Sequence, residues 1–274
     1  MSIIHPRLLS TLILFEPIIQ SSVDQGIVYA FHSDQRQDLW PSRAVAEAAY
    51  RRSKLHSTWD PRVLRLWLKY GLRSTPTALY PPTPSLPDGA VTLTTSKHQE
   101  SWTYIRPYFD LLPLDGVKQD RERYPDVDAK LLSTHPFYRA EPSITLSTLP
   151  FLRPNVLYIF SKASPTSTSG MQDEMMKLTG IGVGGSGGVK EAKVERLILS
   201  DLGHLLTLEA PEKCAAVAAD WLSGWRQEYQ AAESKAQNET SGKSERGGLV
   251  VSKKWQAHTR KWMEKSSRGV KGKL

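Results

Sequence analysis

Three short apolar runs punctuate the chain, each bounded by residues that end regular structure. Residues 10–15 read STLILF between His5-Pro6 and Glu16-Pro17, and residues 155–160 read NVLYIF. Residues 194–199 read VERLIL and lead at once into Ser200-Asp201-Leu202-Gly203-His204. Apolar runs of this length with little alternation predict strands buried on both faces. From Pro211 to Tyr229 the period changes: Ala215, Ala218, Ala219, Leu222 and Trp225 recur at helical spacing. Pro211 suits a first helical turn, and Glu212 complements the positive end of the helix dipole. Strand, long excursion, strand, crossover, strand, helix is most economically a parallel sheet with helical crossovers, so the expected class is α/β.

The stretch between the first two strands has another character. Ser42–His56 and Pro61–Tyr70 carry helical patterns rich in Ala, Leu, Arg and Trp; a loop with Pro76, Pro81, Pro82, Pro84 and Pro87 follows, and Ala90–Thr95 suggests a short extended piece. So long an insertion between sheet strands predicts a largely helical lid or cap. The reading divides the chain into a strand and loop at 1–34, a lid at 35–150, a second core segment at 151–232 and a flexible basic tail at 233–274. After Gln230 the Ala, Ser, Glu, Lys and Gly content predicts a solvated linker, with a short basic helix over Leu249–Glu264 carrying Trp255 and Trp262.

Charge sharpens the division. Between Lys235 and Leu274 there are eight Lys and three Arg against three Glu, a surplus equal to the +8 of the whole chain. The body is therefore balanced and lacks the basic footprint of a nucleic-acid-binding face, so no nucleic-acid partner is expected. A solvated tail is favoured over contact with an anionic membrane, since the linear sequence shows no long amphipathic stripe. The single cysteine, Cys214, excludes an internal disulfide and a Cys-based metal site, and reads as a small buried residue. No apolar run reaches the roughly 20 residues of a membrane span, and residues 1–20 make a poor signal peptide. A non-membrane, unsecreted protein without a metal or organic cofactor is expected.

Two glycine motifs are formal matches only. Gly180–Gly185 fits G-x-G-x-x-G, and Gly184–Gly188, with Ser186 at its centre, fits G-x-S-x-G. Both motifs need a strand before and a helix after them. Here a helical stretch, Gln172–Leu178, precedes them and a strand follows, which predicts a mobile connector. Gly203-His204 is more informative, because it stands on the loop beyond the last strand, with Ala-Pro-Glu opening a helix downstream.

That arrangement, VERLILSDLGHLLTLEAPE over 194–212, resembles the last strand, histidine loop and final helix of the α/β-hydrolase superfamily. Together with HPRLLSTLILFEP at 5–17, TTSKHQE at 94–100 and TGIGVGGSGG at 179–188, it is similar to a fungal subgroup holding peroxisomal lipase-like hydrolases and hydrolases of host-selective toxin biosynthesis. The resemblance covers roughly residues 1–232. It implies that His204 is the general base. It also implies a catalytic acid, commonly placed after the seventh strand; Ser161–Pro165 offers no carboxylate there. Some members carry the acid after the sixth strand, the place of Glu16, whose other reading is a carboxylate bound by loop amides; Asp201 is the fallback. The serine elbow of the family would lie about one helix upstream of His5, so the chain as written is expected to lack its nucleophile, its oxyanion hole and hence its activity.

The implied function is hydrolysis of an ester, thioester or similar acyl bond on a small apolar or acyl substrate, with the status of this stretch as an enzyme left open. The alternative is a non-catalytic remnant that binds an acyl ligand or a partner. Gly272-Lys273-Leu274 keeps two of the three positions of the S-K-L peroxisomal address, which implies an import receptor as partner and a peroxisomal rather than cytoplasmic location.

Overall fold

The computed structural model describes residues 5, 8–21, 26–108, 125, 137–240 and 249–270. Residues 1–219 form one compact unit and residues 220–274 a second. The α/β class read from the pattern is the class of the first unit.

Its centre is a three-stranded parallel sheet in the order β1 (Thr11–Phe15), β7 (Asn155–Ser161), β8 (Val194–Leu199). The register pairs Thr11 with Asn155 and Phe15 with Ile159 on one side of β7, and Val156 with Val194 and Ser161 with Leu199 on the other. All three apolar runs are therefore strands, within a residue of the predicted bounds. The central strand β7 is buried from Val156 to Ser161 on both faces, as an uninterrupted apolar run requires. Val156, Tyr158 and Phe160 pack with Ile19, Leu149, Met175 and Val194 into the main core. Tyr158 and Phe160 lie parallel with ring centroids 5.7 Å apart, and the Tyr158 hydroxyl is 2.8 Å from Thr179 Oγ1. The edge strands differ from the buried expectation: every residue of β1 is only half-buried, Glu195, Arg196 and Ile198 of β8 are exposed, and no described strand lies on the outer side of either.

The insertion between β1 and β7 is more than helical. Helix α1 (Gly26–Gln35) leads to β2 (Leu39–Trp40), α2 (Arg43–Arg52) and α3 (Pro61–Tyr70). Helices α2 and α3 pack on a small antiparallel sheet in which β4 (Val91–Leu93) lies between β2 and β3 (Leu72–Ser74). The insertion is largely helical, as expected, and this sheet adds to it; its strands span two or three residues each, too few to impose a period on the sequence. Trp40, Ala46, Tyr50, Leu68, Leu72, Val91 and Leu93 form its separate core. Predicted helix Ser42–His56 breaks at Ser53, which is extended, and resumes as a 3-10 turn at His56–Thr58. Helix α4 (Lys97–Tyr104), opened by a Ser96–Gln99 capping box, lies against α1. Two-residue strands β5 (Arg106–Pro107) and β6 (Phe137–Tyr138) pair, and α5 (Glu141–Thr148) returns the chain to β7.

Between β7 and β8 runs α6 (Ser169–Leu178), followed by the glycine-rich segment. That segment is not the mobile connector that its composition suggests. The amides of Gly180, Gly182 and Ser186 donate to the carbonyls of Leu149, Pro150 and Leu152, at 2.8–2.9 Å. The glycines serve close approach: Gly180 has φ +76°, and a Cβ there would lie 2.2 Å from Ser186 Oγ. After β8 come the short α7 (Leu206–Glu209) and α8, which spans Pro211–Thr240. Cys214 is buried, its thiol raised in pKa by burial.

In the second unit α8 continues past residue 233, where a linker was expected, because Ala, Glu, Lys and Gln are strong helix formers even where they do not pack. Helix α9 (Lys253–Val270) extends the short basic helix predicted over Leu249–Glu264. Gly272, Lys273 and Leu274 lie outside the described residues. Among the described residues no helix is long and apolar enough to cross a membrane, and no group of three or more His, Cys, Asp or Glu side chains would hold a metal ion.

Candidate active site

Three loops meet beyond the carboxyl ends of the parallel strands, the place where α/β sheets gather functional groups. The first leaves β1. Glu16 N donates to Ile159 O at 2.9 Å, continuing the strand pairing by one residue. The backbone then turns through φ +45° at Glu16, a left-handed conformation for a residue that has a Cβ and precedes a proline. Such a turn costs of the order of 1–3 kcal/mol and persists where the surroundings fix it. Its effect is to swing the glutamate side chain across the end of β7.

There the carboxylate is buried and bonded on both oxygens. Oε1 accepts the N–H of Ser161, the last residue of β7, and Oε2 lies 3.0 Å from His204 Nδ1. The Glu16 side chain is 3% exposed, whereas that of His204 is 28% exposed. A carboxylate is retained in such a place only when its lone pairs are taken. Glu16 thus contacts the histidine with one oxygen and a backbone amide at the end of β7 with the other.

The second loop holds His204. Ser161 Oγ donates to Leu202 O, and Gly203 N donates to Glu209 Oε2 at 2.8 Å. A side chain at Gly203 would meet that carboxylate, since a Cβ there would stand 2.8 Å from Glu209 Oε1. The third loop, after β7, carries no carboxylate, as the sequence shows, but it supplies Thr166, whose Oγ1 lies 2.9 Å from His204 Nδ1 and 3.0 Å from Ser164 Oγ. Ser161, Thr166 and Glu209 escaped the sequence reading, since hydroxyls and a helix-end carboxylate carry no motif.

The arrangement has a definite chemical sense. A carboxylate only accepts, so the Glu16 contact puts the ring proton of His204 on Nδ1 and leaves a lone pair on Nε2, which makes no hydrogen bond to a described residue. That is the state of an imidazole ready to take a proton. Asp201 is exposed and Ser186 Oγ accepts from Gly188 N at 3.3 Å, so neither is drawn into the pair. Beside Thr166 opens a cavity of about 220 Å³, lined also by Ile18, Tyr29, Tyr104, Arg139 and Thr145.

No protein-family model matches the chain. Among curated proteins it is 34% identical over 273 positions to a type I acyl-CoA thioesterase, mpaH, of Penicillium roqueforti, an alignment covering 92% of this chain and 61% of that protein. It is 28% identical to the abhydrolase domain-containing protein AKT2 of Alternaria alternata, over 81% of this chain and 77% of that one. Among solved structures, the peroxisomal α/β-hydrolase Lpx1 of Saccharomyces cerevisiae superposes with a TM-score of 0.52 at 13% identity, over 98% of this chain and 57% of its own. The chain has the α/β-hydrolase fold. E-2-(acetamidomethylene)succinate hydrolase gives a TM-score of 0.50 at 9% identity, over 81% of this chain and 60% of that one. The chain thus has fungal sequence relatives, and it spans about three fifths of the length of the thioesterase it matches.

Proposed function

We propose that Glu16 and His204 are the acid and base of an acyl hydrolase acting on thioesters of the acyl-CoA type. The observation that carries the reading is the 3.0 Å contact between Glu16 Oε2 and His204 Nδ1, made by loops at the carboxyl ends of β1 and β8, the two strands that flank β7. In this reading His204 Nε2 takes the proton of a serine hydroxyl as that oxygen attacks the acyl carbon. It then returns the proton to the departing thiolate, while Glu16 stabilises the imidazolium between the two steps. The cavity beside Thr166 is the acyl subsite, and the insertion above it is a lid. The name of the thioesterase relative supports the substrate class. No described residue hydrogen-bonds to His204 Nε2; in this reading the serine is supplied by another segment, and the 274 residues alone are expected to show no turnover.

The test uses thiol release from acyl-CoA. The chain alone should stay at background and resist a serine-reactive fluorophosphonate probe. A chimera in which a segment carrying a serine elbow precedes residue 5 should turn over and lose activity in His204→Ala. A folded, active chimera that keeps its rate without His204 refutes the assignment, and tight acyl-CoA binding with no turnover would favour a binding module. A peroxisomal location is likewise a proposal. Residues 233–274 fused to the carboxyl terminus of a fluorescent protein should give puncta that are lost when Leu274 is deleted; diffuse signal would dismiss it.

A further inference from the structure

The second unit ends in a helix whose two faces are chemically opposed. Ser252 opens α9: its hydroxyl accepts from Trp255 N at 3.1 Å and its carbonyl from Gln256 N at 3.0 Å. At 3.6 residues per turn, Lys253, Lys254, Arg260, Lys261 and Lys265 fall within an arc of about 140°, and Glu264 is the one acid among them. Trp255, Thr259, Trp262, Met263 and Ser266 occupy the opposite arc. The stripe is hidden in the linear sequence because the apolar positions are few and widely spaced. Thr259 does not spoil the apolar face, since its hydroxyl turns back to Trp255 O at 3.1 Å. Trp255 is 55% and Trp262 67% exposed, and Leu249, Val250 and Val251 just before the helix are exposed as well. Single exposed apolar residues need no explanation, but two indoles aligned on one face and preceded by a bare Leu-Val-Val do.

We propose that α9 is an interfacial helix that lies flat on an anionic lipid bilayer. Trp255 and Trp262 enter the boundary between headgroups and acyl chains, and the five cations flank them among the lipid phosphates and carboxylates. The segregation of charge from aromatics favours a bilayer over nucleic acid. A strand-binding surface interleaves aromatic and basic side chains on one face, so that bases stack while phosphates pair. On α9 the indoles and the cations point apart, which suits a medium that is apolar on one side and charged on the other. The surplus positive charge of residues 235–274 adds long-range attraction to such a surface.

The experiment is flotation of the full chain with liposomes of phosphatidylcholine alone or mixed with phosphatidylserine. Binding to the mixed liposomes should exceed that to neutral ones by about tenfold or more and weaken as salt is raised. Trp255→Ala with Trp262→Ala should weaken binding about tenfold and retain the salt dependence. Lys254→Gln, Lys261→Gln and Lys265→Gln together should weaken it and flatten that dependence. In the unaltered chain, acyl-brominated lipids should quench tryptophan emission, and the double tryptophan variant should lose that quenching. Equal binding to neutral and anionic liposomes, or no quenching in the unaltered chain, overturns the proposal. Tighter binding to a DNA duplex that survives the tryptophan substitutions also overturns it, in favour of a nucleic-acid surface.

Discussion

The carboxylate of Glu16 holds a backbone amide with one oxygen and an imidazole with the other, so its charge and its shape are separable by mutation. In an elbow-bearing chimera, Glu16→Gln should keep the Ser161 contact through the amide oxygen but offer His204 a neutral group that cannot stabilise the imidazolium. Steady-state kinetics should then show kcat reduced about 10²–10⁴-fold with KM within about twofold. An unchanged kcat would remove Glu16 from the mechanism. At this scale the sequence is informative where a residue's place depends on the end of a strand. Glu16 closes an apolar run before a proline, and His204 stands five residues beyond another, so their convergence follows once both runs flank β7. Thr166 and Ser161 are illegible in the same sequence, because a hydroxyl on a loop has no periodicity and its aim depends on the turn taken by the loop. The positive φ of Glu16 is equally silent, since it is imposed by tertiary bonds on a residue that does not favour it.

Among the elements, the insertion carries a pH-sensitive packing arrangement. His56 lies in an aromatic nest, with ring centroids 4.7 Å from both Tyr50 and Trp59. Burial lowers its pKa below the usual imidazole value, and the nearby Arg36 lowers it further. The native ring therefore resists a proton that the unfolded chain accepts at about pH 6.5. This group has no effect on stability well above that pH; stability falls as pH drops through about 6.5 and continues falling until the native pKa is reached. Melting curves between about pH 8 and pH 5 should show His56→Asn with a shallower acid-side loss of Tm than the unaltered chain, and parallel curves would rule the effect out. The glycine-rich segment gives a second test: Gly180→Ala must hold a Cβ at φ +76° against Ser186, and should cost about 1–3 kcal/mol in denaturant unfolding. Composition alone suggests mobility there, because the carbonyls of residues 149–152 that order the loop are distant in sequence. Of the small sheet of the insertion only β4 is legible, within the extended piece Ala90–Thr95; β2 and β3 are shorter than any detectable alternation.

For the whole molecule, the parallel sheet has an apolar edge. Leu12 and Leu14 pack on the main core while β1 pairs only with β7 among the described strands. A half-buried apolar edge is a template for pairing with other chains. The 274-residue chain is expected to associate as concentration rises, and Ile13→Lys, altering β1 without removing Leu12 or Leu14 from the core, should shift light-scattering masses towards the monomer. A monodisperse unaltered chain would contradict this. Another whole-molecule consequence lies in the bonds that tie the insertion to the loop carrying the histidine. Asp60 N donates to Leu208 O at 2.9 Å, Arg62 bridges Asp60 and Glu212, and Gly203 N is held by Glu209. These contacts span α3, α7 and the start of α8, so the base of the site cannot loosen without releasing the first turn of α3. Amide hydrogen exchange makes that visible: the protons on Asp60 and Gly203 should exchange with the same opening free energy and the same dependence on denaturant, as members of one cooperative unit. Exchange at Gly203 that outpaces Asp60 would show instead that the histidine loop breathes alone.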